Sequence, residues 1–275
     1  MIDTIIIVAT ACTIGYIVFV IRRKSEQRKK AMALPLTDTQ IGIINHAVSI
    51  YKYLPTAHQE KLSGLVQLFL LEKQFVGCKD LEVTEEMKLT IAAQACILLL
   101  GINHKCYPKL KTIYIYPTAF VSKTLTRNNN GVLVESETVR LGESWQNGPV
   151  VLAWDDVLRG AYDIRDGQNV VMHEFAHRLD QEDGNADGTP KLGHGNSYTR
   201  WSQVLGAEFS ALQKKSARHK RHVMNQYGAT NEAEFFAVAT ETFFEKSKKL
   251  KRKHPELYET LKAYYHLDPE SWDKR

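Results

Sequence analysis

Residues 173 to 177 read His-Glu-Phe-Ala-His, and this pentad constrains the fold more than any other stretch. Positions i and i+4 of an α-helix share a face, so both imidazoles can point at one ion only if the segment is helical. Glu174 is then turned about 100° from His173, close enough to hold a water on the ion without being a ligand itself. The flanking residues fit a helix. Asp166 and Gly167 supply a turn, the helical period starts at Gln168, and Val170, Val171, Phe175 and Leu179 give a core-facing side. Asp180, three residues after His177, fits an outer-shell carboxylate. The competing reading, an amphipathic helix with two surface histidines, leaves Glu174 without a task.

Catalytic zinc takes three protein ligands and keeps a fourth position open. The best source of a third is "YGATNEAEFFAVATETFFEK", Tyr227 to Lys246, which offers Glu232, Glu234, Glu241 and Glu245. Glu234, Val238 and Glu241 fall on one helical face. A carboxylate on an otherwise apolar face is costly unless it is paired or bound to metal. Spacing does not choose between Glu234 and Glu241, and either could instead pair with a nearby lysine or arginine. The run Asp183-Gly184-Asn185-Ala186-Asp187-Gly188 copies the start of a calcium loop, but His194 stands where the twelfth position needs a bidentate Glu. A polar turn leaving the metal helix is the better reading.

At the other end of the chain, Thr4 to Ile21 carries no charge and is rich in Ile and Val. As a helix it would be roughly 27 Å long, near the thickness of a bilayer's hydrocarbon layer. A cleaved signal peptide wants positive charge before the apolar core, and the charged side chain found there is Asp3. The positive cluster, Arg22 to Lys30, follows instead, which by the positive-inside rule places the bulk of the chain in the cytoplasm. The expected organisation is therefore a transmembrane anchor over residues 1–21 in the inner membrane, a basic juxtamembrane linker over 22–35, and one domain over 36–275 facing the cytoplasm.

The chain has 275 residues, 44% hydrophobic and 24% charged, which is enough for one sizeable core and argues against extended disorder. Its net charge of +5 is concentrated in the runs from Arg22, Gln213 and Lys246. No aromatics interleave these runs and no nucleic-acid fold signature is visible, so nucleic acid is not an expected partner. Cys12, Cys78, Cys96 and Cys106 form no CxxC pair, and a reducing compartment fits them better than a disulfide framework.

From Leu36 to about Gly101 the pattern is helical, with Thr84 as an N-cap and Gly101 as a stop. "KTIYIYPTAFV" and "GPVVLAW" then read as strands, with a turn at Asn128 to Gly131 between them. The helical period returns at Gln168 and again from Asn231 to Glu245. Helices, a small sheet, then helices predict an α+β fold, mostly helical, in preference to a βαβ repeat. Val150, Val151, Leu152 and Ala153 are expected to form an edge strand that pairs with an extended substrate beside the metal. Trp145 and Trp154 are read as packing residues.

Two longer stretches carry a resemblance. "LGESWQNGPVVLAWDDVLRGAYDIRDGQNVVMHEFAHRLDQEDGNADGTP", Leu141 to Pro190, resembles the core of the Mlc titration factor A family of zinc peptidases. "LFLLEKQFVGCKDLEVTEEMKLTIAAQACILLLG", Leu68 to Gly101, resembles that family's N-terminal helices. The family core is similar to that of anthrax lethal factor, where a segment reading like Tyr227 to Phe236 supplies the third ligand. The resemblance implies a zincin-like metallopeptidase with Zn²⁺ as cofactor and a peptide or protein as substrate. It implies His173 and His177 as ligands and Glu174 as general base, selects Glu234 as third ligand, and makes Tyr227 a transition-state donor. The alternative is a membrane-tethered binding protein that sequesters a transcription repressor or another regulatory partner. The N-terminal span is a departure from the family.

Overall fold

The computed structural model describes residues 2–118, 120–127, 133–140, 142–144, 148–193 and 197–272, without the side chains of 120–144 and of residues 2, 3, 5–9 and 11. In chain order the elements are α1 (Ile2–Ala33), α2 (Asp38–Ala47), α3 (Thr56–Glu72), β1 (Gln74–Gly77), α4 (Glu85–Ile97), β2 (Thr112–Tyr116), β3 (Phe120–Arg127), β4 (Leu133–Arg140), β5 (Gly142–Ser144), β6 (Val150–Ala153), α5 (Trp154–Tyr162), α6 (Val170–Asp180), α7 (Tyr198–Ser216), α8 (Glu232–Glu245), α9 (Ser247–Lys253) and α10 (Pro255–Tyr265). The fold is mostly helical around a small sheet. That sheet runs β1-β2-β6-β5, with β1, β2 and β6 parallel and β5 antiparallel to β6. β3 and β4 form a separate antiparallel pair. The turn expected at Asn128 to Gly131, and Trp145, lie outside the described residues.

The helices start where local chemistry starts them. Thr84 caps α4, its hydroxyl accepting the Met87 N–H at 3.2 Å, with Glu85 and Glu86 in the first turn facing the positive end of the helix dipole. α4 is then buried along almost its whole length. It ends at Ile97, before Gly101. Gly101 is needed for a different reason: a Cβ there would overlap the carbonyl oxygen of Tyr265.

β1 departs from the expected helical pattern. α3 stops at Glu72, and Lys73 turns extended at φ −105°, ψ 137°. Its buried ammonium donates to the carbonyls of Tyr107 (2.8 Å) and Leu110 (3.1 Å), which ties the start of β1 to the segment leading into β2. Gln74–Gly77 then pairs in register with Thr112–Ile115. The helical expectation ran through this segment because a four-residue strand is too short to show its own period. α4 is thus the crossover of a short parallel β-α-β unit inside the α+β architecture.

The membrane-spanning helix is corrected by the structure. Among the described residues no helix is long and apolar enough to cross a membrane. α1 does not stop at Ile21. It continues through Arg22, Arg23 and Lys24 to Ala33 as one helix, so charge is built into the same rod. The single-pass inner-membrane location expected from this segment falls with it. Residues 22–33, expected as a linker, are helical and lie on α3. Arg28 pairs with Glu72 and donates to the Lys105 carbonyl at 3.1 Å, and Gly64 of α3 leaves room for the Met32 carbonyl, which a Cβ would overlap.

Candidate metal centre

α6 carries the pentad, and its start is built by Asn169. The Asn169 side-chain oxygen accepts the Met172 N–H at 2.9 Å, and Gly167 makes the preceding turn at φ +69°. One face of the helix is buried in the core through Val171, Met172, Phe175 and Ala176. Phe175 packs edge-on against Tyr107 at 4.8 Å and tilted against Phe69 at 5.6 Å. This packing fixes the rotation of α6 and turns His173 and His177 toward α8, with their ring centroids 4.8 Å apart.

Glu234 meets them from the first turn of α8. Asn231 caps that helix, its side chain accepting the Glu234 N–H at 2.9 Å, so the cap also fixes the residue that bears the carboxylate. The Glu234 carboxylate lies 3.0 Å from His173 Nε2 and 3.4 Å from His177 Nε2, and the two Nε2 atoms are 3.2 Å apart. One ligand atom from each of the three falls within 4.8 Å of the others, the one such group among the described residues. Glu241, the other carboxylate on this face of α8, lies behind His173, its carboxylate 2.7 Å from Nδ1.

Carboxylates dominate the electrostatics of the cluster. Burial alone would lower the His173 pKa, but the Glu241 charge and hydrogen bonds to Glu234 and Glu241 raise it well above the ordinary value. Burial would raise the Glu234 pKa, yet hydrogen bonds from both imidazoles hold it well below the carboxylate range. Burial pushes Glu174 up, and its Oε2 is buried with no hydrogen-bond partner among the described residues. An acceptor left orphaned beside three converging ligand atoms is what a site with a bound water needs. Tyr227 sits in a 3-10 turn (Gln226–Ala229), its amide held by Asn225 at 2.9 Å. Its ring is 5.9 Å from that of His173 and 55% exposed, and burial and Glu234 raise its hydroxyl pKa to about 12.

Comparison with known proteins decides the family. The model of the glucose-regulated metallo-peptidase M90 family matches residues 21–266. The chain belongs to this family. It is 42% identical over 244 residues to the uncharacterized protein slr2042 of Synechocystis sp., covering 88% of this chain and 89% of that protein. It is 30% identical over 226 residues to Mlc titration factor A of Serratia proteamaculans (81% and 85% covered) and 29% identical over 238 residues to that of Pectobacterium atrosepticum (84% and 89%). Membership of a metallopeptidase family agrees with a metal-binding centre of the His-His-Glu type.

The expected substrate strand is corrected. β6 is not an edge: β2 pairs along one side, Val150 opposite Ile113, and β5 along the other, Val150 opposite Ser144. With both sides of the Val150–Leu152 backbone engaged, β6 offers no open edge along those residues, and Val150, Leu152 and Ala153 are buried. Among the described residues, β5 ends the sheet, and it lies beside α6.

Two features escaped the sequence. Arg178, buried on α6, donates to the Pro149 carbonyl at 3.0 Å and so ties the metal helix to the entry of β6. Asn169 could have been found, since Asn just before an apolar-periodic run is an N-cap signal. Three further histidines pack or pair away from the cluster. His254 bonds Glu208 at 2.7 Å and lies tilted against His222, ring centroids 4.6 Å apart, and His104 meets Glu182 at 2.7 Å.

Proposed function

We propose that the chain is a zinc-dependent peptidase in which His173, His177 and Glu234 hold the ion, Glu174 is the general base and Tyr227 an oxyanion donor. The observation that carries this reading is the buried, unpartnered Glu174 Oε2 beside three ligand atoms within 4.8 Å of one another. Zn²⁺ bound there supplies Lewis acidity and brings the pKa of water toward about 7. Glu174 takes a proton from the attacking water at Oε2 and passes it to the departing amine, which its raised pKa favours. Tyr227 stays protonated at neutral pH and donates its O–H to the carbonyl oxygen as negative charge builds there. An extended peptide pairs along the outer edge of β5, next to α6, because a terminal strand offers main-chain donors and acceptors to an incoming segment.

Glu174→Gln tests this reading. The variant retains Zn²⁺ while cleavage of a peptide library falls by about two to four orders of magnitude; undiminished cleavage refutes the assignment. The name of the titration factor relatives favours a second reading, in which the chain acts by binding a regulatory protein. Partner capture that persists in Glu174→Gln with full biological effect supports it over hydrolysis.

A further inference from the structure

Glu241 follows Glu234 by two helical turns, yet the two carboxylates face opposite sides of one ring. Glu234 is 3.0 Å from His173 Nε2, the atom shared with the ligand cluster. Glu241 Oε1 is 2.7 Å from Nδ1 of the same imidazole and is not part of the ligand cluster. Its other oxygen accepts the backbone N–H of Asn169 at 2.5 Å. Asn169 is the N-cap of α6, so one carboxylate spans the histidine ring and the first amide of the helix that carries it.

The surroundings hold this carboxylate in place. Glu241 is buried, and a buried carboxylate is kept by donors aimed at it. Here the donors are the imidazole N–H and an amide at the positive end of a helix. Behind them, the Asn169 side chain donates to Gln94 (2.9 Å), to the Gly160 carbonyl (3.0 Å) and to Glu245 (3.1 Å), and Glu245 accepts the Gln168 N–H at 3.1 Å. Gly160 makes room for this: a Cβ would lie 2.9 Å from the Asn169 Cα.

A carboxylate only accepts, so it favours the imidazole form with its proton on Nδ1 and its lone pair on Nε2. We propose that Glu241 is a positioning residue that holds His173 as this tautomer, with Nε2 turned toward the ion, and locks the ring to the start of α6. The inference rests on the metallopeptidase reading and names a residue that the ligand pattern alone does not assign.

The test is competition for Zn²⁺ between the full chain and a chromophoric chelator. Glu241→Gln can still accept from Nδ1–H but turns an amide toward the Asn169 N–H, leaving two donors face to face. Its Zn²⁺ affinity falls about 10–100-fold. Glu245→Gln, buried on the same helix and bonded to Gln168 and Asn169 in the same network, loses stability without that drop. An affinity for Glu241→Gln within about threefold of the parent, or an equal loss in Glu245→Gln, overturns the proposal. Should Glu241→Gln not fold, long-range ¹⁵N-imidazole spectra of the Zn²⁺-loaded parent decide: a proton on His173 Nδ1 supports the proposal, and its absence or metal on Nδ1 defeats it. Failure of the parent to bind Zn²⁺ at all would instead remove the peptidase reading on which it stands.

Discussion

Gly188 lies against the backbone of Glu232. At φ +75° a Cβ on residue 188 would overlap the Glu232 carbonyl. The Gly188 N–H donates to Asp180 at 3.0 Å, and its carbonyl accepts the Trp201 indole N–H at 3.1 Å. The polar turn after α6 is therefore bolted to the start of α8, two residues before Glu234. Gly188→Ala strains the left-handed backbone and pushes the chain off Glu232. Urea denaturation should show a loss of about 1–3 kcal/mol. Chelator competition should show weaker Zn²⁺ binding, since α8 is displaced next to its ligand. An unchanged denaturation midpoint would contradict this account.

Tyr227 reaches the metal centre from a solvent-facing turn, so its hydroxyl can be removed without opening the core. Tyr227→Phe should lower kcat by about 10²–10³, the range for one oxyanion donor. Metal content and melting temperature should stay near those of the parent. A fall in metal content equal to the fall in activity would make Tyr227 a support for Glu234 and not a donor.

The two histidines and Glu174 were legible because they sit within one helical turn, where local periodicity dictates direction. Glu234 was harder. It shares a face with Glu241, and which of them meets Nε2 depends on where α8 crosses α6, which no local pattern records. The expectation that β6 is an edge strand failed for a related reason: β5 is three residues long, too short to show period-two alternation, so β6 looked terminal. At the N-terminus, hydropathy saw the apolar run but not that the helix continues through Arg22 to Ala33 and docks on α3.

Asp180 gives the stability a pH dependence whose sign can be worked out. Burial pushes its carboxyl up to about 6, and Oδ1 has no hydrogen-bond partner among the described residues. The native state thus holds the proton more tightly than an unfolded chain with an ordinary value near 3.9. The stability this group contributes is fully present below about pH 4 and is lost as pH rises through 6, about 3 kcal/mol in all. Asp180→Asn keeps an acceptor for Gly188 and removes the titration. Denaturation from pH 4 to 7.5 should show the parent losing stability relative to the variant across that window. Parallel profiles would show that Asp180 does not titrate there.

Removing the metal should loosen the protein without unfolding it. The ligand-bearing helices are held by a core that owes nothing to the ion: Phe175 on α6 and Phe235 and Phe236 on α8 are fully buried. The ligands are also held in one another's reach by the Glu234 bond to His173 and by the Asn231 cap. This differs from small zinc domains, in which metal binding is the folding energy itself. Zn²⁺ at 100 times its Kd adds about 2.7 kcal/mol to the native state, which for a domain of this size is a melting shift of roughly 5–11 °C. EDTA should therefore lower the melting temperature by that amount while leaving the far-ultraviolet circular dichroism at 25 °C intact. His177→Ala should melt at the same temperature with and without Zn²⁺, because two ligands no longer retain the ion. Collapse of the helical signal on chelation would mean that the ion holds the fold together, and an undiminished melting shift in His177→Ala would place the ion elsewhere.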